Sequence, residues 1–222
     1  MLLEENMLKN RYLTKVCLTL LALLLGIEIF LFVSLVNSKI FINGAYFELG
    51  YNFLEWFEIY GEKVDAFYRL ALFSFVIIYL TWVYKAHFNL SLLGAKNLRY
   101  SHASAIWWWF VPIANLWKPY SVLKEIMINS QKFVYGSIQN SKFGILLILW
   151  WILHLPSSFL DKIGNKMGDP STLSGYQLLL NMALLQSALV ILISVINFYL
   201  IYNVDKWQRK ANQSKPISLQ KS

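Results

Sequence analysis

The chain has 222 residues, of which 57% are apolar or aromatic and only 14% charged, with a mean hydropathy of +0.47. A soluble domain carries about 25% charged residues, so the solvent to reason about is a bilayer, and the length holds one membrane domain with short tails. The formal net charge is +8, but the basic residues stand at the ends of apolar runs rather than in one concentrated patch, which excludes nucleic acid as the expected partner.

The N-terminal stretch 1–15 is polar and basic, with Lys9, Arg11 and Lys15. The first apolar run, Val16–Val36, reaches about 31 Å as a helix and matches a hydrocarbon core of about 30 Å. It is longer than a signal-peptide core and no small-residue cleavage pattern follows, so it reads as an uncleaved anchor. Cys17, the single cysteine, reads as a small buried apolar residue. Glu28 interrupts the run. A charge near mid-bilayer costs about 2.5–3.5 kcal/mol on insertion scales, so Glu28 is either a proton or cation site or a hydrogen-bonded tie to a neighbouring helix.

Asn37–Asp65 reads as a polar connection in which residues 53–60 set acids opposite aromatics, the pattern of a short surface helix. The second span is expected over 66–84, and a polar loop follows from His87 to Ser101. Ala103–Trp117 is uncharged, but Pro112 breaks it, and fifteen residues reach only about 22 Å, too short to cross. Pro119 opens a new helix, a favoured first-turn position. There Val122, Leu123, Ile126, Met127 and Phe133 lie towards one side, which predicts an amphipathic, interfacial helix. The region 103–133 is thus a re-entrant or interfacial piece. The third span is expected over 143–160, with Trp150, Trp151, His154 and Pro156 inside it. The fourth covers 176–204, where Ala183, Gln186, Ser187, Ser194 and Asn197 form a stripe within about 100° of arc, the small and polar pattern of helix packing in lipid. Residues 205–222 read as a polar tail, expected to be disordered past Asn212.

With four spans, five of the 20 Lys and Arg residues (Lys39, Lys63, Arg69, Lys162, Lys166) fall on one side and the rest on the other. By the positive-inside bias both termini and the central stretch are expected in the cytoplasm. The fold class expected is therefore an all-α membrane protein: four transmembrane helices plus a Pro-broken cytoplasmic segment and an amphipathic helix.

The central residues carry a resemblance. Tyr84-Lys85-Ala86-His87-Phe88-Asn89-Leu90, Leu93-Gly94-Ala95, Leu98-Arg99-Tyr100-Ser101 and the string Trp108-Trp109-Phe110-Val111-Pro112-Ile113-Ala114-Asn115-Leu116-Trp117-Lys118-Pro119-Tyr120 resemble a bacterial multi-pass group catalogued as domain of unknown function 4328. The close likeness covers about 80–128, and His102 stands where that family has a proline or small residue. The resemblance implies a bacterial inner-membrane protein and no assigned activity.

No Ser-His-Asp order, H-E-x-x-H, Gly-rich phosphate loop or paired aspartates occur. The three histidines lack partners at ligand spacing, so neither a catalytic residue, a metal nor a cofactor is expected. The candidate functional motif is Trp107, Trp109, Pro112, Asn115, Trp117, Lys118 and Pro119. The tryptophans prefer the headgroup level, and Pro112 frees a carbonyl near Trp108 that the Asn115 amide is expected to satisfy. Lys118 follows at the depth of lipid phosphate. The expected role is a non-enzymatic module whose partners are the bilayer, anionic lipid, and another membrane protein or a second copy. The alternative is a small oligomeric transporter or channel using Glu28 and His154.

Overall fold

In the computed structural model, residues 2–44, 48–137, 141–167 and 172–214 are described. Among these residues six α-helices follow in order: α1 Leu2–Ile42, α2 Glu48–Leu93, α3 Ser104–Trp107, α4 Lys118–Tyr135, α5 Ser141–Met167 and α6 Leu173–Gln213, with a 3-10 turn at Ala114–Leu116 before α4. No strand occurs among the described residues. Among the described residues, four helices contain stretches long and apolar enough to cross a membrane, at Asn10–Ile42, Glu58–Leu93, Lys142–Leu160 and Leu173–Gln213. The protein is an all-α membrane protein.

The apolar runs mark these helices, but the helices outrun them. Residues 53–60, expected as a separate surface helix, belong to α2, which is 46 residues long. Nothing in 48–66 removes a backbone donor. Gly50 and Gly61 cost only about 1 kcal/mol each relative to Ala, so the helix continues through its polar half. Likewise the expected tail begins inside α6, which runs to Gln213 and buries Trp207, Gln208 and Ala211. Part of the expected loop 161–175 is helical, since α5 reaches Met167, and residues 168–171 lie outside the described residues. The end of the expected tail, from 215, lies outside them as well.

Chain breaks have clear local causes. Gly94 takes φ +100°, donates its N–H to the Ser91 carbonyl at 2.9 Å, and Ala95 donates to Leu90 at 2.9 Å. These are the two bonds of a Schellman motif, which needs a residue free of Cβ at its left-handed position. Gly136, at φ 72°, ends α4 and donates to the Lys132 carbonyl at 2.8 Å. Between α3 and α4 the chain breaks around Pro112, and Pro119 stands in the first turn of α4, as its fixed φ and missing donor favour.

The chain forms two compact units. The first comprises Met1–Leu20, Ser74–Leu149 and Ile196–Ser222; the second comprises Leu21–Phe73 and Trp150–Val195. The first unit has an apolar interior that includes Cys17, Trp82, Val83, Leu90, Leu147 and Ile201. Helix α4 adds Val122, Leu123, Ile126 and Met127 to it, and Phe133 packs against the pair Leu93 and Ala211. The apolar side of the amphipathic helix is therefore buried in protein rather than laid on the interface. Ser130 and Gln131 are buried with it. The second unit buries Leu21, Leu24, Ala71, Trp150, Leu180 and Ile193. Of the α6 stripe, Ser187 and Ser194 are buried in this unit and Asn197 in the other.

Candidate functional site

The first unit contains a chain of hydrogen bonds joining α2, the turn after it and α4. His87 is fully buried in α2. Its Nδ1 lies 2.7 Å from His102 Nδ1, and its Nε2 lies 3.2 Å from Glu125 Oε2. His102 Nε2 lies 3.2 Å from Ser91 Oγ. At the far end, the Arg99 backbone N–H donates to Glu125 Oε1 at 2.6 Å. The donor inventory orders the protons along this path. A carboxylate only accepts, so His87 donates through Nε2 and accepts at Nδ1. His102 then donates from Nδ1 and accepts at Nε2, where the Ser91 hydroxyl donates. Rings support the same contacts, since His102 stands edge-on to His87, Phe88 and Tyr84 at 5.0, 5.2 and 6.3 Å between centroids.

The order Ser–His–His–Glu superficially suits serine activation. Ser91, however, lies in the last turn of α2, where unsatisfied carbonyls gather. An attacked carbonyl needs N–H donors for its developing negative charge, and this end of a helix supplies the opposite. Nor do the two histidines and Glu125 converge on one point, because His87 turns its two nitrogens towards different partners. No cluster of metal-ligating side chains occurs among the described residues. The chain therefore pins the loop 94–103, and the segment after it, onto α2 and α4.

Two further networks lie in the same unit. Asn89 Nδ2 donates to Gln208 Oε1 at 3.0 Å, while Gln208 Nε2 donates to the Ala86 carbonyl at 2.8 Å and to Ser130 Oγ at 3.1 Å. Three helices are tied through one buried amide. Thr14 Oγ1 meets Asp205 Oδ1 at 3.2 Å and receives Trp82 Nε1–H at 3.1 Å, and Arg209 Nε donates to Asp205 Oδ2 at 2.7 Å.

The pinned segment is apolar and open. Trp107 is 64% exposed, Ile113 72%, and Phe110, Leu116 and Trp117 are also exposed. Trp109 is held against the buried Tyr79, edge to face at 5.7 Å. Pro112 is exposed and Pro119 buried. Lys118 is held between rings, its Nζ 5.0 Å from the Trp108 centroid and 5.4 Å from that of Tyr100. Lys124 Nζ lies 5.8 Å from the Tyr120 ring. Asn115 does not play its expected part. Its backbone N–H donates to the Val111 carbonyl at 2.7 Å, and its side-chain amide makes no hydrogen bond among the described residues. That backbone bond spans Pro112, and main-chain turn bonds flank the break, from Trp109 to Ile106 and Phe110 to Trp107 before it and from Leu116 to Ile113 after it.

In the second unit, buried Glu28 accepts a hydrogen bond from Ser187 Oγ at 2.6 Å and another from the Tyr68 side chain. These tie α1 to α6 and α2. His154 finds its partner on its own helix, the Trp150 carbonyl at 2.8 Å from Nδ1, and its ring lies 4.5 Å from that of Trp150. Glu28 and His154 thus have separate partners. Gln186 donates to Ser157 Oγ at 3.1 Å, joining α5 and α6.

Spacing alone pointed to Trp107–Pro119 and to Glu28, but it missed His87, His102, Glu125, Asn89 and Gln208. One signal was present. His87 and Ser91 are four apart on a helix that runs on to Gly94, and so share a face. No curated protein and no solved structure matches the chain. A family profile does match, over residues 58–206, which takes in both the histidine chain and the tryptophan-rich segment, and the chain belongs to the family described as Domain of unknown function (DUF4328).

Proposed function

We propose that this protein is a non-enzymatic module of the bacterial inner membrane, with both termini cytoplasmic, that binds anionic lipid headgroups along the segment 103–124. The observation that carries the reading is the pairing of an open apolar row, Trp107, Phe110, Ile113, Leu116 and Trp117, with an ordered cation at its end, Lys118 over Trp108 and Tyr100. Aromatic residues favour the headgroup level, and an apolar face buried there sets the depth of the segment. The ammonium on Lys118 keeps a solvent-facing side for phosphate, and Lys124 and Lys132 are exposed one face along α4. The orientation follows from the crowding of basic residues in the central stretch and at both ends. Transport through Glu28 and His154 is the competing reading, and the local partners of both side chains favour a structural role for each.

Each basic residue near an anionic surface contributes about 1 kcal/mol. Lys118→Gln combined with Lys124→Gln is therefore expected to weaken binding to phosphatidylglycerol vesicles by roughly 30-fold with an unchanged thermal melt. Binding measured by lipid titration of the purified protein, with phosphatidylcholine as the reference, tests this. Unchanged affinity for phosphatidylglycerol in the double variant rejects the headgroup site.

A further inference from the structure

A separate pocket lies in the second unit and does not rest on the Lys118 reading. Helices α1 and α6 run antiparallel there, since Glu28 meets Ser187 while Lys39, further along α1, meets Asn181, earlier in α6. Between the end of α1 and the first turns of α6 is a cavity of about 170 Å³. Sites for drug-sized ligands span roughly 300–1,000 Å³, so this one suits a single small group. Its polar side chains are Lys39 and Asn43 at the end of α1 and Gln177 and Asn181 from α6, and Ile42 and Leu180 supply its apolar part.

The donor inventory gives the pocket a sign. Lys39 Nζ donates to Asn181 Oδ1 at 2.8 Å, which leaves the ammonium two further N–H donors. With its oxygen taken, Asn181 offers a ligand its amide nitrogen. The side chains of Asn43 and Gln177 make no hydrogen bond among the described residues, so their amides are open as well. No acidic side chain lines the pocket among the described residues. Nor is the lysine needed to cap its own helix. Asn43 N–H donates to the Lys39 carbonyl at 3.2 Å and Gly44 N–H to that of Phe41 at 3.0 Å, and these main-chain bonds satisfy carbonyls that a C-terminal lysine otherwise serves.

We infer that this pocket binds a phosphate group, held by Lys39 and by the amides of Gln177 and Asn181. A cation with amide donors and no counter-charge selects an anion. The donors stand on two helices, and a phosphate, with three or more acceptor oxygens, accepts from both at once. The pocket lies past Val36, where the apolar run of α1 ends, so free phosphate and the phosphodiester of a lipid headgroup share the required chemistry.

The test uses full-length protein in a neutral detergent, with Lys118→Gln and Lys124→Gln in place so that binding along 103–124 does not contribute. Inorganic phosphate is titrated in chloride buffer and binding is read by phosphorus NMR line broadening, with a thermal melt of each further variant to verify folding. The site predicts saturable binding that Lys39→Gln weakens at least about tenfold, the loss of a charged hydrogen bond. Gln177→Ala leaves the Lys39–Asn181 tie in place and should weaken binding about fivefold, the loss of a neutral one. Sulfate should compete and acetate should not. Phosphatidylglycerol and diacylglycerol, added in mixed micelles, separate the two sources. Displacement of inorganic phosphate by phosphatidylglycerol alone assigns the pocket to a lipid headgroup, and any other pattern assigns it to free phosphate. The proposal is overturned by the absence of saturable phosphate binding, by acetate competing as well as sulfate, or by folded Lys39→Gln and Gln177→Ala proteins with the parent affinity.

Discussion

The two units handle buried polarity differently. In the first, polar side chains are linked in series: Ser91 to His102 to His87 to Glu125, and Asn89 to Gln208 to Ser130. In the second, they meet in small sets that bridge neighbouring helices: Glu28 with Ser187 and Tyr68, Gln186 with Ser157, and Lys39 with Asn181 at 2.8 Å. The difference follows from what each must hold. Long helices satisfy their own backbone and need only a tie between faces. The first unit must also fix a loop, a four-residue helix and a 3-10 turn, elements with little cooperativity of their own. Linked side chains supply that fixation, at the risk that losing one member strands the others in a low-dielectric interior.

The largest effect is expected from Gln208→Leu, which leaves Asn89, Ser130 and the Ala86 carbonyl without their shared partner. At about 1 kcal/mol or more for each stranded group, the loss is about 3 kcal/mol, read as a lower midpoint in chemical denaturation. Glu28→Leu should cost less, about 2 kcal/mol, by orphaning the Ser187 and Tyr68 hydroxyls. Glu28→Gln, which retains an acceptor, should stay within about 0.5 kcal/mol of the parent on the same scale. A pH-driven flux in proteoliposomes that disappears with Glu28→Gln would instead favour transport. His102→Ala removes two bonds at a partly exposed site and should cost about 1.5 kcal/mol. Its distinguishing mark is faster protease cleavage within 94–103, since the pin is local. The smallest effect belongs to Asn115→Ala, expected below about 0.5 kcal/mol because its amide makes no bond to lose. A large loss there would mean that the side chain, and not the main chain, closes the break at Pro112.

The cores of the four long helices were legible because an apolar run near 20 residues has one main reading in a chain this poor in charge. The break at Pro112 and the start at Pro119 were legible for the same kind of reason: proline acts locally. Less visible was how far each helix continues. The polar half of α2 and the end of α6 carry no apolar signature, and burial of Trp207 and Gln208 is decided by partners far along the chain. The His87–His102 pair lies across the Gly94 turn, so periodicity within one helix cannot announce it. Asn115 misled for a physical reason as well. A freed carbonyl beside proline does need a donor in lipid, yet the Asn115 amide donates to no carbonyl among the described residues, and it is the Asn115 backbone N–H that spans Pro112, to Val111. Cys17 read correctly, being fully buried.

If the linked polar groups of the first unit hold the open row of Trp107–Trp117 at the headgroup level, as proposed, the depth of Ile113 in the bilayer reports it. A spin label at Ile113→Cys, in a Cys17→Ala background, measures this depth directly when the protein is reconstituted in phosphatidylglycerol bilayers. The expected result is preferential relaxation by oxygen over a water-soluble nickel reagent, at the boundary of headgroups and chains, with a shift towards water when His102→Ala is added. A label as accessible to the nickel reagent as one on a water-facing surface, unchanged by His102→Ala, would contradict it.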